Sequence, residues 1–280
     1  MIQDIAPHLY KNEYIPLAPD QSSILLCFQK RQVLVRLAET GFVFPTFQEL
    51  ECYNDQLYDN YTYLFQIDQT RFYLGDIVDE KIKGFEWKDI QIFRSIDSKY
   101  LSFAGITGWQ LHNWYQSHQY CGHCGTLMIQ DIRERMLKCP NCHQVEYPKI
   151  SPAVIIGLTH QDKILMSQYA GRKSNHYALL AGYNEIGETI EETIQREVYE
   201  EVGLKVKNIT YYKSQPWAFS DTLLFGFFVE LDGEDETITL DETELAMAKW
   251  FTREEIPETF DDYSLTNEMI MVFKDNRKNQ

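Results

Sequence analysis

Gly182-Tyr-Asn-Glu-Ile-Gly-Glu188-Thr-Ile-Glu-Glu-Thr-Ile-Gln-Arg196-Glu197-Val-Tyr-Glu200-Glu201-Val-Gly203-Leu204 is the stretch on which the fold turns. Within it Ile190, Ile194, Val198 and Val202 recur every fourth residue, an apolar stripe whose period predicts a helix over 189–202. Thr189 stands where a cap is wanted, and Gly203 where a helix ends in left-handed backbone. At about 100° per residue, Glu197 lies about 40° from Glu201 and about 60° from Glu200, so three carboxylates share one rim. Crowded in this way they repel one another unless a positive charge sits between them. Hard divalent cations such as Mg2+ or Mn2+ select carboxylate oxygens and bring phosphates with them. Arg196 can pair with one carboxylate and hold its rotamer. A solvated acidic helix face has the same spacing, and spacing alone leaves that reading open.

Working outward, the pattern from Ser151 onward is α/β. Ala153–Leu158 and Lys163–Ser167 read as a hairpin turning at His160-Gln161-Asp162, Thr222–Glu230 as a long strand, Thr237–Leu240 and Lys249–Thr252 as shorter ones, and Ser264–Phe273 as a closing helix. Upstream lie Cys121-Gly-His-Cys124-Gly and Cys139-Pro-Asn-Cys142, two Cys-x-x-Cys turns fourteen residues apart. Each turn presents two sulfurs to one ion, and two turns complete a tetrahedral zinc site with no open position. A redox role would need one pair, so the doubled pair predicts a structural zinc ribbon, with His123 and His143 as surface residues. Residues 105–118 read as a helix carrying Ile106, Trp109 and Trp114. Residues 1–104, with aromatic and β-branched runs at Ile24–Phe28, Gln32–Leu37 and Tyr61–Ile67, read as a small antiparallel β domain. Cys27 and Cys52 stand alone and are expected to be reduced core residues.

The formal charge of −16 sets most of the surface against long polyanions, whose affinity for proteins rests on Lys and Arg. A small anionic substrate can still be drawn in through cations recruited by the carboxylates. No apolar run is long enough to span a bilayer, and the first residues have no basic segment leading into an apolar one, so a cytoplasmic location without membrane attachment is the default expectation.

The acidic stretch resembles the Nudix box: Gly182, five residues, Glu188, seven residues, Arg196-Glu197, an aliphatic residue, any residue, Glu200-Glu201, any residue, Gly203 and an aliphatic residue. The order of β-rich segment, four-cysteine ribbon and box resembles the NADH pyrophosphatase (NAD diphosphatase) family. Tyr147-Pro148-Lys-Ile-Ser-Pro152 is similar to that family's bridge, and Ser214-Gln215-Pro216-Trp217-Ala218-Phe219-Ser220-Asp221-Thr222 is similar to its Ser-Gln-Pro-Trp-Pro-Phe-Pro-x-Ser motif. Ala218 and Ser220 replace two prolines and Thr222 a serine, which frees the loop backbone but keeps the hydroxyl.

The resemblance implies an α+β multidomain chain: a β-rich domain over 1–104, a linking helix and zinc ribbon over 105–150, and a Nudix α/β/α sandwich over 151–280. It implies one structural Zn2+ on Cys121, Cys124, Cys139 and Cys142, and two or three catalytic Mg2+ or Mn2+ ions on Glu197, Glu200, Glu201, Glu244 and the carbonyl of Ala181. Glu200 or Glu201 would serve as base, with Arg196 beside them. Tyr147, Tyr183 and Trp217 would hold the nicotinamide half, with Tyr147 and Tyr183 as its sandwich. Gln215, Phe219, Thr222, Glu134 and Arg94 are further substrate contacts. The implied reaction is hydrolysis of NADH or NAD+ to nicotinamide mononucleotide and AMP by a homodimer, with NAD-capped RNA as a further substrate. An ADP-ribose or other nucleoside-diphosphate pyrophosphatase and a non-catalytic nucleotide sensor are the alternatives.

Overall fold

The computed structural model describes residues 1–77, 81–94, 98–171, 177–258 and 263–275. Its contacts gather residues 150–217 and 221–280, with Met1, into one unit, and residues 2–149 with 218–220 into another.

The carboxy-terminal unit is built on a six-stranded sheet. Its order runs Val206–Trp217, Thr222–Leu231, Ser151–His160, Lys163–Tyr169, Leu245–Thr252, with Leu180–Tyr183 also paired to Ser151–His160. The expected hairpin forms and turns at Gln161, whose φ is +53°. Side chains of a strand alternate faces, and both faces of Ser151–His160 are apolar. Val154, Ile156 and Leu158 pack with Ile194, Val198 and Val202 of the acidic helix, Ile190–Val202. Ile155, with Ile164 and Met166 of the next strand, packs with Leu265, Met269, Ile270 and Phe273 of the closing helix, Leu265–Lys274. The result is the expected sandwich, a sheet with a helix on each face.

Two elements differ from expectation. Val206–Trp217 is a twelve-residue strand that the sequence did not announce. It lies at the sheet edge, with two register irregularities against Thr222–Leu231. Residues 237–240, expected as a strand, form none. Ile238 and Leu240 pack against the core, but the segment's N–H groups go to the end of the acidic helix: Thr239 donates to the Val202 carbonyl at 2.9 Å and Asp241 to that of Glu201 at 3.0 Å. A helix end leaves four carbonyls without intrahelical partners, and this segment satisfies two of them.

Among its described residues the amino-terminal unit holds two four-stranded sheets, a three-stranded sheet in the cysteine segment, a short helix Phe47–Leu50 and a long one Lys99–Ser117. Among the described residues its strands pair antiparallel except that Ile24–Leu26 runs parallel to Thr70–Leu74, which departs from the antiparallel expectation. The long helix begins six residues before the expected start, and Ile106, Trp109 and Trp114 are buried as anticipated. Cys27 is buried as expected, whereas Cys52 is exposed and stands outside the core. Among the described residues, no helix is long and apolar enough to cross a membrane.

Candidate active site and zinc centre

The four cysteines converge through backbone turns. Cys121 and Cys139 each accept, at the carbonyl, an N–H from four residues on: Gly125 at 2.8 Å and His143 at 3.1 Å. Both donors have left-handed backbone, Gly125 at φ +71° and His143 at φ +65°. His143 thus occupies a knuckle position otherwise suited to glycine, and neither it nor His123 joins the cluster. The Sγ atoms of Cys121 and Cys142 are 3.5 Å apart, and those of Cys124 and Cys139 3.4 Å. A tetrahedron with zinc–sulfur bonds of about 2.3 Å needs sulfurs about 3.8 Å apart, so the four fit one structural Zn2+ with little movement.

The acidic helix is capped at its start by a reciprocal pair: Thr189 Oγ1 accepts from Glu192 N–H, and the Glu192 carboxylate accepts from Thr189 N–H at 2.8 Å. Gly203 ends it at φ +72°. Beside the apolar stripe runs a buried polar one, Thr193, Glu197 and Glu201, again spaced by four. Gly182, on the neighbouring strand, lies flush against it. A Cβ on Gly182 would stand 1.8 Å from Glu197 Cδ, so only glycine leaves room for that carboxylate. Ala181 is the next residue on the same strand.

Arg196 was expected to pair with one carboxylate; it engages three. Nε and Nη2 donate to Glu188 at 2.6 and 2.9 Å, and Nη1 to Glu197 at 2.7 Å and Glu200 at 2.9 Å. Nη2 also donates to the Tyr183 carbonyl at 3.0 Å. All five N–H groups of the guanidinium are therefore occupied, and its role is to hold other groups in place. The guanidinium beside Glu188 holds that carboxyl down at about 2.

Glu201 is the exception. It is 2% exposed, and both carboxylate oxygens are buried without a hydrogen-bond partner. Burial first, and then the charges of Glu197, Glu244, Asp241 and Glu200, push its pKa up to about 8. Burial also raises Glu197, against the opposing pull of Arg196. A buried carboxylate without donors, facing other carboxylates, suits a cation, and oxygen donors suit Mg2+ or Mn2+. Among the described residues only the cysteines bring three or more candidate ligand atoms within 4.8 Å of one another; no three of the box carboxylates and Glu244 come that close.

The remaining candidates divide between the units. In the carboxy-terminal unit, Tyr183 is half exposed, and its hydroxyl lies 3.3 Å from that of buried Thr222. Trp217 lies nearly parallel to Tyr263, at 13° with centroids 6.3 Å apart. No local pattern singles out Tyr263, which enters through the fold. Gln215 is fully buried: its amide donates to the Tyr263 carbonyl and accepts from Leu265 N–H, both at 2.7 Å. Its side chain pins the start of the closing helix to the edge strand and does not face solvent. In the amino-terminal unit, the guanidinium of Arg94 lies over the Phe219 ring at 4.6 Å, and the exposed Tyr147 donates its hydroxyl to Glu134 at 2.8 Å. The sequence reading gave no role to Asn184, Thr193 and Tyr263, and it quoted Gly182 and Glu188 in the box without the contact surface of the one or the Arg196 pairing of the other. For Thr193 a signal existed, because it stands four before Glu197.

The NUDIX domain family profile matches residues 149–269, and the NADH pyrophosphatase zinc ribbon domain profile matches residues 116–147. A protein of Escherichia fergusonii called NAD-capped RNA hydrolase NudC is 39% identical over 162 residues, covering 58% of this chain and 62% of that protein. One of the same name from Photorhabdus laumondii subsp. laumondii is 40% identical over 150 residues, covering 54% and 58%. The match thus spans about three-fifths of these curated relatives. A solved NUDIX hydrolase from Nitrosomonas europaea aligns at 22% identity and TM-score 0.48, over 58% of this chain and 94% of its own.

Proposed function

The chain carries a NUDIX domain behind an NADH pyrophosphatase zinc ribbon, and on that premise we propose that it hydrolyses the diphosphate of NADH or NAD+ to the nicotinamide mononucleotide and AMP. The observation that carries this reading is Glu201, a buried carboxylate with no donor of its own beside two more carboxylates on one helix.

In the proposed reaction Glu197, Glu200, Glu201, Glu244 and the Ala181 carbonyl would hold the divalent cations. Bound there, the cations offset charge on the phosphoryl oxygens and lower the pKa of the attacking water. Glu200 or Glu201 takes the water's proton as the new oxygen–phosphorus bond forms. The bond from that phosphorus to the bridging oxygen breaks, and the bridging oxygen leaves on the other phosphate. Arg196 takes no proton; it keeps Glu197 and Glu200 oriented from the side. Tyr183 and Trp217, in the carboxy-terminal unit, offer aromatic faces for a flat ring, and Tyr147 is a separate candidate contact. The NAD-capped 5′ end of RNA presents the same bond, and the names of the relatives support it as a further substrate. We further propose a cytoplasmic homodimer, an amino-terminal domain over 1–104 and a linking helix with ribbon over 105–150.

The test is turnover of NADH, NAD+, ADP-ribose and NAD-capped RNA with Mg2+ or Mn2+, by wild type and Glu201→Gln. NADH or NAD+ should be cleaved fastest by wild type. Much faster cleavage of ADP-ribose would replace the reading with its pyrophosphatase alternative, and binding without cleavage of any substrate would replace it with a sensor.

A further inference from the structure

Thr193 is fully buried in the core-facing half of the acidic helix, where a hydroxyl is tolerated only if it is bonded. It is bonded on both sides. Its Oγ1 accepts from Asn184 Nδ2 at 2.8 Å and lies 2.8 Å from Glu188 Oε2, to which it donates. Because Asn184 supplies a proton to the hydroxyl oxygen, the hydroxyl's own proton is directed onward to Glu188. The Thr189 carbonyl, at 3.1 Å, is the more distant acceptor. Asn184 is itself anchored by its N–H on the Pro152 carbonyl at 3.2 Å. Glu188 Oε2 then receives Thr193, Arg196 and, at 3.2 Å, the N–H of Glu185.

Arg196 is shared between two sets of carboxylates. Glu188 takes Nε and one Nη2 proton, while Glu197 and Glu200 divide Nη1. Whatever fixes Glu188 draws the guanidinium toward it. Whatever loosens Glu188 lets the guanidinium settle on Glu197 and Glu200, where it competes with a cation for the same oxygens. We propose that Asn184 and Thr193 form a positioning strut that holds Glu188, and through it Arg196, so that Glu197 and Glu200 stay available to divalent cations. The pair lies at variable positions of the box pattern, so the strut is a property of this chain's own residues. It rests on the reading of the acidic cluster as a cation site.

The experiment uses the full-length, zinc-loaded chain and measures Mn2+ binding without substrate, by the solution EPR signal of free Mn2+. Thr193→Val, which keeps shape and removes the hydroxyl, should weaken Mn2+ binding by about tenfold or more, the effect of losing one hydrogen bond to a charged group. Asn184→Ala should shift it in the same direction. Thr193→Ser should restore binding to within about twofold of wild type. The Mn2+ concentration for half-maximal NADH hydrolysis should rise in step, while KM for NADH at saturating Mn2+ moves less than about twofold. A purely structural role would lower the melting temperature and leave Mn2+ affinity unchanged. Wild-type Mn2+ affinity in Thr193→Val, or in Asn184→Ala if the valine variant does not fold, overturns the strut. Failure of wild type to cleave any dinucleotide, with Mn2+ binding still weakened by Thr193→Val, overturns the activity and leaves the strut standing.

Discussion

At the scale of single residues, Glu201 is a costly side chain, buried with no donor to either carboxylate oxygen. Its folded pKa, about 8, lies above the ordinary carboxylate value, so folding favours the protonated form. Stability from this group is full below the unfolded pKa and is lost as pH rises toward and through about 8. Metal-free protein should therefore melt progressively lower from about pH 5 to pH 8, and Mg2+ or Mn2+ should reverse the loss at the upper end. Glu201→Gln should remove the penalty, raising the metal-free melting temperature at pH 8 by at least about 3 °C while lowering turnover by at least about 100-fold. Calorimetry with and without cation, beside a rate assay, checks both halves. Gly182→Ala makes the complementary case. Its Cβ would meet Glu197 Cδ at 1.8 Å, so the carboxylate must swing away, and turnover should fall by at least about tenfold with far-ultraviolet circular dichroism unchanged. That Glu197 and Glu201 share one side of the helix was legible from their spacing. The steric reason for glycine at 182 was not, because it depends on a strand brought beside the helix by the fold.

At the scale of elements, the acidic helix was readable from end to end: its apolar stripe, its threonine cap and its left-handed stop are all local signals. The edge strand Val206–Trp217 was not. An outermost strand meets a neighbour on one side only, and this one carries Lys207, Asn208, Lys213 and Pro216, with Asn208 at φ +50°, so no alternating pattern survives. Residues 237–240 misled in the opposite way: Ile238 and Leu240 alternate like a strand's residues, but their neighbours bond to helix carbonyls. Gln215 was read as a substrate contact because it stands in a motif, whereas its amide is committed to the backbone at Tyr263 and Leu265. Gln215→Leu strands both backbone groups and should cost about 2–4 kcal/mol, measured by denaturant unfolding. Glutamate at this position could still accept from Leu265 but not donate to Tyr263.

At the scale of the whole molecule, two metal chemistries share one chain, and each should respond to a different insult. Cys139→Ser should release zinc, detectable with a colorimetric chelator, and lower the melting temperature, since a closed thiolate site contributes to folding. Added Mn2+ should not rescue it, because hard cations bind thiolates poorly. The division of labour was legible from ligand type: sulfur for the ribbon, oxygen for the helix. The pairing of the amino-terminal strands was not, since strand partners distant in sequence leave no local mark. One short segment carries a wider consequence. Asp241 is anchored by its N–H to the Glu201 carbonyl, and its own carbonyl takes the N–H groups of Glu244, at 3.2 Å, and Leu245, at 2.9 Å. Glu244 is thus measured off from the acidic helix by a single tight turn. Inserting or deleting one residue between 241 and 244 would leave every letter of the acidic signature intact and still turn away Glu244, the fourth carboxylate of the proposed cation site. Descendants of this chain could fall silent through a change that no inspection of the signature would reveal.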